Sequence, residues 1–201
     1  MGRMQSGGLV KRGLQCGMTK CSKERYVVAL NLASRIRLRR AARIKLQHFI
    51  PAHWFAAAAS ECARMYIAGF FYGAISVAQA YVEALSRFLA EHHGVRVSKD
   101  VEERLRRLYR QGLLSDRALD AAVAILIGRN DFHHLNKDVP QEYQQLETCA
   151  EQCINHLHTI ESDVFAYSFS DDEPGKLVLK KPEYWPPGDP GLARISLRQL
   201  W

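Results

Sequence analysis

The sequence predicts an all-α fold, a helical bundle of about five helices with a basic arm before it and a short hairpin or extended tail after it. Three observations carry this. Apolar residues between Pro51 and Val164 recur at spacings of three and four. Gly69, Gly94 and Gly112 punctuate those runs where helices should stop. The chain has 201 residues, enough for one real core plus tails.

The arm, residues 1–48, is expected to be partly helical or flexible. Residues 1–45 hold twelve Lys or Arg against the single acid Glu24, a balance of +11, whereas the other 156 residues hold 16 basic and 20 acidic side chains, a balance of −4. The basic character therefore belongs to the arm, and a basic arm points to polyanions such as RNA. A solvated extension with no partner would look the same.

The bundle is expected over 49–165. Pro51 suits the first turn of a helix running to Ala68 and ended by Gly69. A second helix follows from Phe70 to His92, with Ile75, Ala78, Val82, Leu85 and Leu89 on its apolar face. Ser98 is the expected cap of a third, in which Val101, Leu105 and Leu108 form the stripe and Arg104, Arg106, Arg107 and Arg110 face elsewhere. Ser115 or Asp116 caps a fourth, carrying Leu119, Ala122, Val123, Leu126 and Ile127 and leading directly into a polar segment. The fifth begins near Pro140, and its seam of Tyr143, Leu146, Ala150, Cys153, Leu157, Ile160 and Val164 fits a helix lying on a bundle core better than a subunit interface.

Over 166–201 the pattern changes. Aromatic and β-branched residues flank a polar turn at Asp171–Gly175, predicting a short hairpin, and four prolines from Pro182 to Pro190 predict an extended tail. The uncharged run Met65–Val82 is interrupted by Gly69 and Gly73, so no membrane span is expected. Five cysteines without a secretory signal fit reduced thiols in a cytoplasm.

The chemistry concentrates in Ile127-Gly128-Arg129-Asn130-Asp131-Phe132-His133-His134-Leu135-Asn136. So many polar groups at the end of an apolar helix need hydrogen-bond partners, since each one buried without a partner costs about 1 to 3 kcal/mol. A structural polar cluster that closes the helix is the alternative reading of this segment. Arg129-Asn130 followed by His134 also resembles the motif of the HEPN superfamily, the higher eukaryotes and prokaryotes nucleotide-binding domain: an Arg, four to six residues, then a His. The order of a helix ending in Gly69, then aromatics, then an alanine-rich helix with Glu83, then the Arg/His segment is similar to that family's bundle across residues 50–165.

The resemblance implies a metal-independent endoribonuclease, in which an RNA 2′-hydroxyl attacks the adjacent phosphate. It assigns phosphate stabilisation to Arg129, proton transfer to His134 and substrate orientation to Asn130. The chemistry suits these types: a guanidinium stays charged and binds two phosphate oxygens, and an imidazole titrates near neutrality. His133, four residues from Arg129, shares its face on an ideal helix, whereas His134 sits about 140° round, so His133 is the rival. Glu83 is a candidate partner for Arg129 across the bundle and stands with Arg104 and Arg107 among the substrate-binding candidates, although a solvated face would also account for the two arginines.

The family further implies a homodimer bringing two motifs to one cleft, RNA as partner, and a role in a toxin and antitoxin pair or in defence, with an antitoxin or nucleotidyltransferase beside it. No cofactor is required. Cys149, Cys153 and His156 share a helical face and are the nearest approach to a zinc site, but Cys153 belongs to the apolar seam and a fourth ligand is not evident, so no metal is expected.

Overall fold

The computed structural model describes residues 20–46, 49–50, 53–134, 136, 139, 142–173, 177–181 and 196–197. The expected starts at Pro51 and Pro140, the turn at Gly175 and the prolines of the tail lie outside these. The chain divides into a unit of residues 1–36 and a unit of residues 37–201.

In the first unit the described residues belong to helix α1, Lys20–Ala41, whose last turns from Arg37 belong to the second unit. Val27, Val28, Leu30 and Leu32 on it are exposed. The compact body thus starts earlier than residue 49: Arg40 and Ile44 are buried in it. Arg40 donates from Nε to Glu147 Oε1 at 3.1 Å, from Nη2 to the Tyr143 hydroxyl at 3.1 Å and from Nη1 to the Ile67 carbonyl at 3.3 Å. Its guanidinium also lies 4.9 Å from the centre of the Phe71 ring. Burial, the largest influence on Arg40, favours loss of its proton, but Glu147 and Tyr143 together outweigh it and hold the proton more tightly than usual.

The second unit continues with β1 (Phe49–Ile50), α2 (His53–Ala68), α3 (Phe71–His92), α4 (Val101–Arg110), α5 (Asp116–Leu126), α6 (Arg129–His134) and α7 (Tyr143–Val164). Three short strands follow: β2 (Tyr167–Phe169), β3 (Leu177–Leu179) and β4 (Ser196–Leu197). Helix α3 is the axis, packing against α2, α4, α5, α6 and α7, and α7 also packs on α2 and α5.

Helices α2 and α3 join at Gly69, whose φ of 94° only glycine adopts readily, and the Phe70 amide returns to the Met65 carbonyl at 2.8 Å. A Cβ there would meet Tyr143 Oη at 2.6 Å, so the turn also admits Arg40 and Tyr143 to the joint. Helix α4 is capped by Asp100, whose Oδ1 accepts from the amides of Glu102 and Glu103, and not by Ser98, which donates its hydroxyl to Glu103 one turn on. Ser115 caps α5 by accepting from the Ala118 amide at 3.2 Å.

From Leu146 to Val164 the seam of α7 is buried within its own bundle, leaving Tyr143 exposed at its head. Each such leucine cut to alanine typically costs about 2 to 5 kcal/mol. Strands β2 and β3 form the expected antiparallel hairpin, with Tyr167 opposite Leu179 and Phe169 opposite Leu177. The tail holds one unexpected feature, the pairing of β4 with β1 that sets Phe49 opposite Leu197. Phe49 meets Tyr167 edge-on at 4.9 Å, which ties β1 to the hairpin. Among the described residues no helix is long and apolar enough to cross a membrane.

Candidate functional site

The site is built where α5 stops. Ile127 leaves the helical conformation with ψ 131°, Gly128 turns with φ 69°, and a new short helix, α6, starts at Arg129. The polar segment is therefore not a continuation of the fourth predicted helix. Two contacts fix this break. The Gln79 side chain, fully buried on α3, donates from Nε2 to the Ile125 carbonyl at 3.2 Å and so satisfies one of the carbonyls that a helix end leaves open. Phe132 packs edge-on against Tyr72 of α3, ring centres 5.8 Å apart, and anchors α6 to the bundle.

Arg129, the first residue of α6, donates from Nη2 to Glu83 Oε2 on α3 at 2.6 Å. The pair is neither deep nor free: the side chains are 37% and 28% exposed. Glu83 also accepts from Arg87 through Oε1 at 3.3 Å, so one carboxylate serves two guanidinium groups. Arg129 Nε is buried and has no hydrogen-bond partner among the described residues.

Beside Arg129 opens a cavity of about 460 Å³ lined also by Asn130, Asp131, Lys99, Asp100 and Glu102. Two cations face three carboxylates there, an acidic balance for a site expected to take phosphate. Each carboxylate is engaged within the protein, Asp100 by amides of α4, Glu102 by Arg106 Nη2 at 2.6 Å and Asp131 by Asn136 Nδ2 at 2.9 Å. Asn130 is exposed at this rim.

His134 is exposed and ends α6, outside the lining of the Arg129 cavity. Five residues along one helix rotate it about 140° from Arg129 and shift it about 7.5 Å along the axis. Within one chain the two therefore leave α6 in different directions. His133 lies on α6 as well, and its side chain is outside the described residues.

The other two candidates lie apart. Arg104 is buried, with Nε donating to Ser86 Oγ, Nη1 to the Ser98 carbonyl and Nη2 to the Glu83 carbonyl. Burial above all, and then Arg87, loosens its proton relative to an ordinary arginine. It locks α4 to α3 and supports the backbone of Glu83, with no nitrogen left unbonded for a substrate. Arg107 pairs with Glu103 on its own helix and donates to the Arg96 carbonyl. Neither lines the Arg129 cavity.

Sequence reasoning missed Lys99, Asp100 and Glu102 at that cavity, and Arg87 beside Glu83. Only the last had a signal, the Glu83 and Arg87 spacing of four on one helix. At the zinc candidates, burial, with Cys149 adding to it, pushes the Cys153 thiol up to about 12 and keeps it protonated near neutrality. Among the described residues no three His, Cys, Asp or Glu side chains stand close enough to hold a metal ion.

Comparison with protein-family models, with curated proteins and with solved structures returns no match.

Proposed function

We propose that this chain is a metal-independent endoribonuclease of HEPN type, with Arg129 and His134 as its catalytic residues. The observation that carries the reading is the salt bridge from Glu83 to Arg129. It presents a guanidinium at the rim of a cavity, one short helix away from an exposed imidazole. In the reaction the RNA 2′-oxygen bonds to phosphorus as its proton passes to a base. The bond to the 5′-oxygen breaks, and that oxygen takes up a proton. The products are a 2′,3′-cyclic phosphate and a 5′-hydroxyl. Arg129 offsets the charge that builds on the phosphate oxygens, His134 transfers the proton and Asn130 orients the strand.

The homodimer belongs to the same proposal: Arg129 and His134 diverge on α6, so a site that uses both needs a second copy to supply one of them. Assignment to toxin and antitoxin or defence systems, with a small antitoxin or nucleotidyltransferase as partner, and a cytoplasmic location belong to the same proposal.

A non-cleaving HEPN module that binds RNA or a protein is the second reading. The three carboxylates around Arg129 favour its protein-binding form, because they oppose the approach of a phosphate and so of RNA as well. An adaptor acting through the α7 seam has less to work with, since that seam is filled by its own bundle.

The deciding assay incubates single-stranded RNA with the intact chain in EDTA. Arg129→Ala and His134→Ala should each lower the cleavage rate by about 10² to 10⁴ while leaving the helical circular dichroism unchanged. An intact chain that leaves the RNA uncut points to the binding module.

A further inference from the structure

We propose a second anion site at the opposite end of α5, one that takes the phosphate of a nucleotide. Ser115 and Arg117 at the start of α5 line a cavity of about 510 Å³, together with Arg43, Lys45, Asn155 and Asp163. That volume lies in the range of small-molecule sites and accommodates a phosphate with its sugar and base. Helix α5 is 11 residues long, about 16 Å, so this cavity and the one beside Arg129 are separate.

The charge here is the reverse of that at Arg129. Three cations, Arg43, Lys45 and Arg117, face one carboxylate, Asp163. That carboxylate is already answered within the protein: Oδ2 accepts from the Ser115 amide at 3.1 Å and Oδ1 from Lys181 Nζ at 3.3 Å. The cations are less occupied. Arg43 reaches Glu151 at 3.5 Å and Glu147 at 3.9 Å, so part of its charge is already answered, while its side chain stays 48% exposed. Lys45 and Arg117 are exposed, and their charged groups have no ion-pair partner among the described residues.

The donors fit the same ligand. The Lys45 amide donates to Asn155 Oδ1 at 3.0 Å, and this leaves Asn155 Nδ2 as a donor with no acceptor among the described residues. A guanidinium fork, an ammonium, a carboxamide N–H and a surplus of positive charge gathered in one hollow select a phosphate over a neutral sugar or an apolar group. The phosphate is that of a free mononucleotide or of a nucleotide within a strand, with inorganic phosphate as the probe of the shared chemistry. The site stands on its own geometry and does not require cleavage at Arg129.

The test titrates the full-length ¹⁵N-labelled chain separately with inorganic phosphate, with adenosine 5′-monophosphate and with a single-stranded 2′-deoxyoligonucleotide, which lacks the 2′-hydroxyl needed for cleavage. Shifts of the Ser115, Arg117 and Asn155 amides with the first two ligands identify a free phosphate. Shifts with the strand alone identify a backbone phosphate. The double variant Lys45→Ala with Arg117→Ala, both exposed and expected to fold, should bind the responding ligand about tenfold more weakly. If that ligand is the strand, the salt slope should fall by about 1.4, as for the loss of two phosphate contacts. Arg110→Ala, an exposed cation on α4 outside the cavity, should bind like the wild type. Amides that respond to none of the ligands, or a double variant indistinguishable from the wild type, overturn the site. Neither result bears on whether Arg129→Ala abolishes cleavage.

Discussion

Glu83 has two competing effects on Arg129. It holds the guanidinium in place at 2.6 Å, and it cancels the charge that a phosphate would need. The pair is about one-third exposed, so solvent weakens it and its contribution to stability is at most about 1 kcal/mol. Glu83→Gln keeps a hydrogen-bond acceptor while removing the charge. It should leave the melting temperature nearly unchanged and tighten binding of a 2′-deoxyoligonucleotide by about threefold, the scale of a partly screened charge. Weaker binding in this variant would mean that Glu83 acts by positioning Arg129 and does not compete with substrate. The pair itself was legible as a possibility in the sequence, because an acid on the second predicted helix and an arginine after the fourth are brought together once those helices pack. The burial of Arg104 was not. Its partners are the Ser98 and Glu83 carbonyls and the Ser86 hydroxyl, and nothing in the pattern of one helix reveals that a loop and a neighbouring helix will enclose one of its arginines.

At the scale of elements, periodicity and glycine stops located α2 to α5 and α7 to within a few residues, because burial of one helical face and the φ of a C-terminal glycine are local constraints. The break at Gly128 escaped that reading. Gly128 carries the same signal as the other glycine stops, but the apolar spacing carries the predicted helix through to Ile127, and the break is held from α3 by Gln79 on the Ile125 carbonyl and Tyr72 on Phe132. The pairing of β1 with β4 escaped it too, since two-residue strands have no period and their partners lie at opposite ends of the body. The break makes its own prediction. At φ 69° an alanine at position 128 costs about 1 kcal/mol, whereas asparagine tolerates the left-handed region better. Gly128→Ala should lower the melting temperature by about 2 to 4 °C. Gly128→Asn should lower it less. Equal losses would show that the space around Phe132, and not the backbone angle, sets the cost.

For the whole molecule, the division of the chain changes how the basic arm is to be tested. A cut after residue 45 removes Arg40 and Ile44 along with the arm, and both are part of the body's core. Removing Arg40 takes from Glu147 its partner in a part-buried ion pair and empties the joint beside Phe71 where the guanidinium packs. A chain of residues 46–201 should therefore melt well below the full-length protein. A chain of residues 37–201 retains Arg40 and Ile44 and should melt close to the full-length protein. With the fold intact, the shorter deletion isolates the electrostatics. Residues 1–36 carry seven Lys or Arg against one Glu. If they run along a nucleic acid strand, their loss should lower the slope of log K against log salt by up to about 5, with little effect on cleavage at saturating RNA. Equal salt slopes for the full chain and for 37–201 would make the arm a bystander, and would leave the affinity to the two cavities of the compact body, the one beside Arg129 and the one with Arg43, Lys45 and Arg117.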